Sequence, residues 1–257
     1  MKYKNILIPL FFGILMLSSF TMQAQQFKMK LQEHDHNRYH FGFFVALNQM
    51  DFSIKTEEEF IGITYDPTEY SDFVGVDFIQ FYGVNSSPSM GFSVGIIGNL
   101  KITPNLDLRF VPTLSFGERV LNYSIYQFVI GEMPEIRNIS KHIASTNVDL
   151  PFYIKYKSKR AGNFRAYILS GVKFTIDMAA NSDKNKQQNE DLLRLKNSDI
   201  VFEAGVGIDY YFDFFKFGIE MKMGYGINNL LDTEGNIFAD GIKSLNSKTF
   251  QLSLTFE

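Results

Sequence analysis

The chain contains no cysteine and no tryptophan. Without cysteine there can be no disulfide scaffold, thiolate zinc centre, thiol nucleophile or cysteine-borne lipid anchor. Charge imbalance is also scarce: 25 Lys and Arg stand against 28 Asp and Glu, a net charge of −3. A nucleic-acid partner calls for a clear basic excess and is therefore not expected. Hydrophobic residues reach 45%, which excludes a mainly disordered chain. Beyond residue 24 no stretch of 18 uninterrupted apolar residues occurs, so helical membrane spans are not expected. What the chain has in quantity is aromatic: 27 Phe and 13 Tyr in 257 residues, more than an ordinary soluble core requires.

The first 24 residues read as a secretory signal peptide. Lys2 and Lys4 form a positive start, residues 6–20 are apolar apart from Pro9, Gly13, Ser18 and Ser19, and cleavage is expected after Ala24. Residues 25–38 are polar and form a separate N-terminal segment. The rest, 39–257, is expected to be one domain.

Within that domain hydrophobicity alternates with a period of two, the period of a strand with two unlike faces. The segments are 39–48, 89–102, 106–119, 146–157, 164–177, 199–212, 216–228 and 248–257. In the second, Met90, Phe92, Val94, Ile96, Gly98, Leu100 and Ile102 oppose Ser89, Gly91, Ser93, Gly95, Ile97, Asn99 and Lys101. In the seventh, Phe217, Ile219, Met221, Met223 and Tyr225 oppose Lys216, Gly218, Glu220, Lys222 and Gly224.

A soluble sandwich and a membrane barrel both produce such alternation. Three features favour the barrel. The segments are long, whereas sandwich strands centre near about 5–6 residues and tilted spanning strands need about 9–11. The second face mixes Gly and Ser with charges of both signs, which suits a narrow, filled interior. The connections alternate, with short turns at 103–105, 158–163 and 213–215 and long loops elsewhere. The expected fold is an all-β, eight-stranded antiparallel up-and-down transmembrane β-barrel, with both termini periplasmic and the long loops outside. Outer-membrane lipid is then an obligatory partner.

Candidate functional residues follow from the faces. Asp107, Arg109, Arg119, Asp149, Lys155, Arg165, Lys173, Glu203, Asp209, Glu220 and Lys222, together with Asp177, share the small-residue face and are expected to form a lumenal charge network. The first loop, 49–88, is acidic and carries Tyr65, Tyr70, Phe73, Phe78 and Phe81, which must pack on the barrel rim or on another protein. His34, His36 and His40 are close in sequence but lack a further ligand set, so no metal site or cofactor is expected. His142 with Ser140 and Ser145 is adjacency in sequence and not a triad signal, so neither an enzyme nor a small-molecule substrate is expected. Residues 183–196 are the most hydrophilic stretch and read as an exposed loop.

The run Ser87-Pro88-Ser89-Met90-Gly91-Phe92-Ser93-Val94-Gly95-Ile96, followed by Leu106-Asp107-Leu108-Arg109-Phe110-Val111-Pro112-Thr113-Leu114-Ser115-Phe116-Gly117-Glu118-Arg119, resembles the PorT (SprT) family. So does the opening Tyr39-His40-Phe41-Gly42-Phe43 with Leu47-Asn48-Gln49-Met50-Asp51-Phe52. The resemblance implies an outer-membrane β-barrel of the Bacteroidota that serves the type IX protein secretion system, linked to gliding motility, with other secretion proteins as partners. It implies no catalytic residues. Since an eight-stranded barrel is too narrow for folded cargo, it points to an accessory component or assembly factor. The alternative is a small outer-membrane solute channel or adhesin-like barrel of the OmpA/OmpW size class.

Overall fold

The computed structural model describes residues 30–31, 37–57, 63–67, 73–179, 195–232 and 237–257. The leader and Tyr70 lie outside these, as does most of 183–196. Eleven strands make one sheet: β1 Tyr39–Thr56, β2 Thr64–Tyr65, β3 Phe78–Ser87, β4 Ser89–Thr103, β5 Leu106–Phe110, β6 Thr113–Phe128, β7 Glu135–Lys157, β8 Phe164–Asp177, β9 Ser198–Tyr211, β10 Lys216–Gly226 and β11 Ile242–Phe256.

Two breaks are local, and the sheet forms a ring of eight staves. Pro88 separates β3 from β4, but both pair with β6. Pro112 has no N–H to give, so the ladder lapses between β5 and β6; both nonetheless pair with β4 and β7. Hydrogen bonds from Ile96 N–H to the Pro112 carbonyl (3.1 Å) and from Val111 N–H to the Pro151 carbonyl (3.3 Å) carry the wall across the gap. β1 closes the ring, pairing with β11 from Phe43↔Phe256 to Thr56↔Ile242 and with β4 from Tyr39↔Leu100 to Met50↔Ser89. Every pairing is antiparallel. The fold is thus the expected eight-stranded antiparallel barrel.

One end, called proximal here, carries Tyr39, Glu257 and the short turns at 104–105, 158–163 and 212–215. Strand faces follow the period of two: Phe41, Phe43, Val45 and Leu47 point outward while His40, Phe44, Ala46 and Asn48 point inward. Outward rings stack across neighbouring staves, as in Phe92–Phe116, Phe110–Phe152 and Phe43–Phe256, with centroids 4.9, 4.5 and 5.0 Å apart.

The distal end departs from the sequence reading. The stretch between the third and fourth staves is no long loop. β6 and β7 continue past the expected boundaries as a hairpin, paired from Thr113↔Asp149 to Gln127↔Glu135. Its tip is a tight turn in which Glu132 N–H bonds the Val129 carbonyl at 3.0 Å and Gly131 adopts a φ of 93°. Most of 49–57 and 78–88 is likewise strand, so β1 has 18 residues and β7 has 23. These extensions escape the sequence reading because their alternation changes hands. Outward positions on β7 run Val148, Leu150, Phe152, Ile154, Tyr156 in the proximal half and then Thr146, Ala144, His142, Ser140, Asn138 beyond it. Inward positions change the opposite way, from Lys155 and Asp149 to Ile143 and Ile139. A search for one apolar face loses the strand where the faces trade character.

Neighbouring staves approach closely at lumen-facing glycines. A Cβ on Gly171 would overlap the Phe152 carbonyl oxygen, while a Cβ on Gly83, at a bulge in β3, would meet nothing within 4 Å. Gly171→Ala should therefore destabilise the barrel by about 2–3 kcal/mol, the cost of overpacking against a backbone atom. Gly83→Ala should be neutral within about 0.5 kcal/mol. Urea titration of the heat-modifiable folded band in detergent micelles would measure both, and equal midpoints would contradict the register.

Candidate functional site

The proximal and middle lumen is a packed ionic column. Arg109 enters from β5 and pairs with Glu220 of β10 at 2.8 Å and with Glu257. Lys216 bonds Glu257 at 2.8 Å and lies 3.7 Å from Asp209. Lys155 meets Asp209 at 2.9 Å, with its ammonium 3.5 Å from the centre of the Tyr167 ring. Tyr167 donates its hydroxyl to Glu220 at 2.9 Å, and Lys222 approaches the other oxygen of Glu220 at 3.2 Å. Toward the proximal mouth, Lys157 pairs with Asp107 at 2.6 Å, Asn99 donates to the same carboxylate at 2.8 Å, and Arg165 bonds the Ser158 carbonyl at 2.9 Å.

A second tier lies toward the distal side. Lys173 bridges Glu203 (2.7 Å) and Asp149 (3.7 Å), Tyr153 donates its hydroxyl to Glu203, and Ser115 and Thr175 donate to Asp149 at 2.8 and 2.7 Å. A small polar cavity of about 10 Å³ opens here, beside Asn48, Ser93, Asn147, Asp149 and Lys173. That is the space of about one water. Arg119 tops the tier: it donates to Ser145 and Ser247 at 2.9 and 3.2 Å, and its guanidinium lies 5.1 Å over the Phe52 ring.

Above Phe52 the interior turns apolar. Phe52, Ile79, Phe81, Leu121, Tyr123, Ile125 and Leu245 from the strand extensions pack with Phe73, Leu195, Leu230, Leu231 and the helical turn Ile237–Asp240. Phe238 lies at its centre, against the Phe81 ring (5.8 Å) and the Tyr123 ring (5.1 Å), while the Tyr123 hydroxyl bonds the Phe238 carbonyl at 3.1 Å. Among the described residues the result is an apolar cap across the distal half of the interior, with the Lys141 ammonium 4.6 Å over the Phe238 ring.

All eleven lumenal residues singled out from the sequence, and Asp177 with them, are buried inside the ring. Four buried charges of the interior escaped that selection: Lys157, Asp199, Lys216 and Glu257. The signal was present in the alternation. Lys157 continues the parity of Lys155, Asp199 that of Glu203, Lys216 that of Glu220, and Glu257 that of Ser253 and Thr255, so each had to face inward.

The aromatics of the first loop divide. Phe73 and Phe81 are interior cap residues and not a presented surface, because the strand extensions beneath them are apolar on the inside. Tyr65 packs edge-on against Phe81 at 5.6 Å. Phe78 stays outward beside Phe128, with ring centres 6.0 Å apart. His40 is buried inside the wall. His142 is exposed outside, 3.4 Å from Glu118, and Ser140 donates to Asn122 at 2.7 Å on the same side. Ser145 faces the lumen, so it and His142 stand on opposite faces of β7.

If the column is a mutually neutralised ion network, removing Arg109 alone strands two buried carboxylates. Arg109→Met should cost about 3–5 kcal/mol. Adding Glu220→Gln and Glu257→Gln should restore a large part of it. Chemical denaturation of the three proteins in micelles tests this, and a triple variant no better than the single one would refute it.

The family comparison agrees with this geometry. No curated protein matches the sequence. The crystal structure of the outer membrane protein OprG from Pseudomonas aeruginosa is similar at 11% identity and a TM-score of 0.36, over 84% of this chain and 94% of that one. The family described as outer membrane protein beta-barrel domain matches residues 23–232, most of the chain. With its closed ring, apolar exterior and ionic interior, the chain belongs to that family and is an outer-membrane β-barrel protein.

Proposed function

We propose that the protein is a closed, non-enzymatic barrel that acts by contact with other proteins at its distal end. The observation that carries this reading is the cap. Among the described residues, an ion-packed column and an apolar layer follow one another along the axis and leave no path for a solute. The distal hairpin offers a surface instead. Val74, Ile130 and Met133 are 89, 78 and 92% exposed. Asp77 ties their two segments together, its N–H bonding the Phe128 carbonyl (3.0 Å) and its carboxylate taking the Ile130 N–H (2.7 Å). Apolar groups held rigidly at a tip suit a protein partner.

The finer setting rests on the resemblance of residues 87–96 and 106–119. In that setting the barrel is a component or assembly factor of the type IX secretion system, oriented with both termini in the periplasm and the cap outside. Ile130→Asp combined with Met133→Asp should leave barrel yield and heat-modifiability unchanged yet reduce type IX cargo export to the level of a clean deletion. Export at wild-type level in the deletion strain would remove the secretion role. Normal export in the double variant alone would remove the tip from it.

A second reading, a small solute channel, has one observation on its side: the proximal and middle lumen is lined mainly by charged and polar side chains, with Phe44, Ile97, Val111 and Leu169 as an apolar patch among them. It requires the cap to leave. The purified barrel in planar bilayers should be silent under the first reading. A steady unitary conductance altered by Arg109→Glu or Glu220→Lys would favour the second.

A further inference from the structure

The outer wall of the barrel carries an open groove of about 990 Å³ across the end of β7 and β8, β9 and β10. Register explains it. Ser158 lies beside Ala166, their backbones joined by a 2.9 Å bond from Ser158 N–H to the Ala166 carbonyl, and these two small residues form the floor. Bulky neighbours make the walls: Tyr156 and Ile168, themselves a cross-strand pair, on the distal side, Phe164 on the proximal side, and Ile208 and Ile219 along the adjoining strands. Its volume lies within the range of about 300–1,000 Å³ usual for small-ligand sites. Its lining is almost wholly apolar.

The groove opens at its proximal end onto the turn 158–163, which carries Lys159 and Arg160 and no acidic residue. Arg160 is spent: it stacks on the Tyr211 ring at 3.8 Å and donates to the Gly162 carbonyl at 2.9 Å. Lys159 is exposed and follows the groove-lining Ser158, which puts a positive charge at this end of the trench, while Asp213, next to groove-lining Phe212, is paired with Lys30 at 3.0 Å.

We propose that this groove is a binding site for an anionic glycerophospholipid, with an acyl chain over Ala166 and Ser158 and the phosphate on Lys159. An apolar trench with a cation at one end complements a ligand that is a hydrocarbon chain with an anion at one end. The site is independent of the distal cap and of any secretion role.

The test is native mass spectrometry of the full barrel released from micelles, with phosphatidylglycerol or phosphatidylcholine of identical chains added. Wild-type protein should retain one phosphatidylglycerol in preference to phosphatidylcholine. Ala166→Trp should lower retention about tenfold. Ser158→Trp, filling the same floor from the neighbouring segment, is the second variant should the first fail to fold. Ala204→Trp, outward on β9 but outside the groove, should retain lipid as wild type does. Lys159→Glu should cut the preference for phosphatidylglycerol about fivefold. Equal retention by wild type and the floor variants would overturn the proposal. So would equal retention of the two lipids by wild type, or a retained second copy of the chain in place of lipid.

Discussion

Everything in this molecule depends on the backbone having no unpaired edge where hydrocarbon surrounds it. In an apolar medium a bare N–H or C=O costs several kcal/mol, so a sheet can cross only by closing on itself. β1 performs that closure, bonded to β11 on one side and to β4 on the other. The break at Pro112 is tolerable because the neighbours on both sides, β4 and β7, persist across it; at Pro88 only β6 spans the break among the described residues, since β1 pairs with β4 and not with β3. Once closure fixes eight staves, the interior is too narrow to stay empty, and the lumen must be filled by side chains.

What fills it changes along the axis, and the change is matched by its opposite outside. Where the exterior is Val148, Phe152 and Ile154, the interior is Asp149, Tyr153 and Lys155. Where the exterior is His142, Ser140 and Asn138, the interior is Ile143 and Ile139, over Phe238. Away from the hairpin tip, where Val74, Ile130, Met133 and Ile136 stay exposed, both halves follow one rule: each face takes the polarity of what it touches. In the proximal half the exterior touches lipid and the interior carries the polar groups. In the distal half the exterior touches water and the interior is an ordinary hydrophobic core. The level at which the faces trade, near Arg119 and Thr146, is therefore a physical estimate of the membrane boundary. The stretch of β7 from Val148 to Tyr156 fits the about 9–11 residues a tilted strand needs to span.

The same inversion decides how much was legible in the sequence. The eight spanning segments were readable, since each keeps one parity over its length. Lys157, Asp199, Lys216 and Glu257 are readable by the same parity, each at the end of its segment. The cap was not readable. Phe73, Leu195, Leu230, Leu231 and Phe238 come from connections without periodicity, and nothing local shows that they meet above Arg119. The β6–β7 extension was hidden because its apolar side lies inside, so it looked like a loop of mixed character. Aromatic content alone could not say that Phe81 is a core residue and Tyr82, next to it, is exposed.

The ionic column also bears on whether the lumen is a path or a filling. Counting Glu257, eight buried cations face eight buried carboxylates among the described residues. A selective pathway is usually built from one sign of charge, which concentrates the opposite ion. A balanced set does the reverse: most of the carboxylates are neutralised where they stand, so little net field remains to draw an ion in. Asp199 is the exception, with both oxygens buried and neither ion-paired among the described residues. Burial of so many charges is costly unless each is paired and hydrogen-bonded, which is why Tyr153, Tyr167, Ser115 and Thr175 donate to the same carboxylates that the lysines approach. Neutral pairing below and an apolar core above reinforce one another. An ion that left its partner in the column would face the Phe52 and Phe238 rings next, so the column is held in place by the cap as much as by its own pairs.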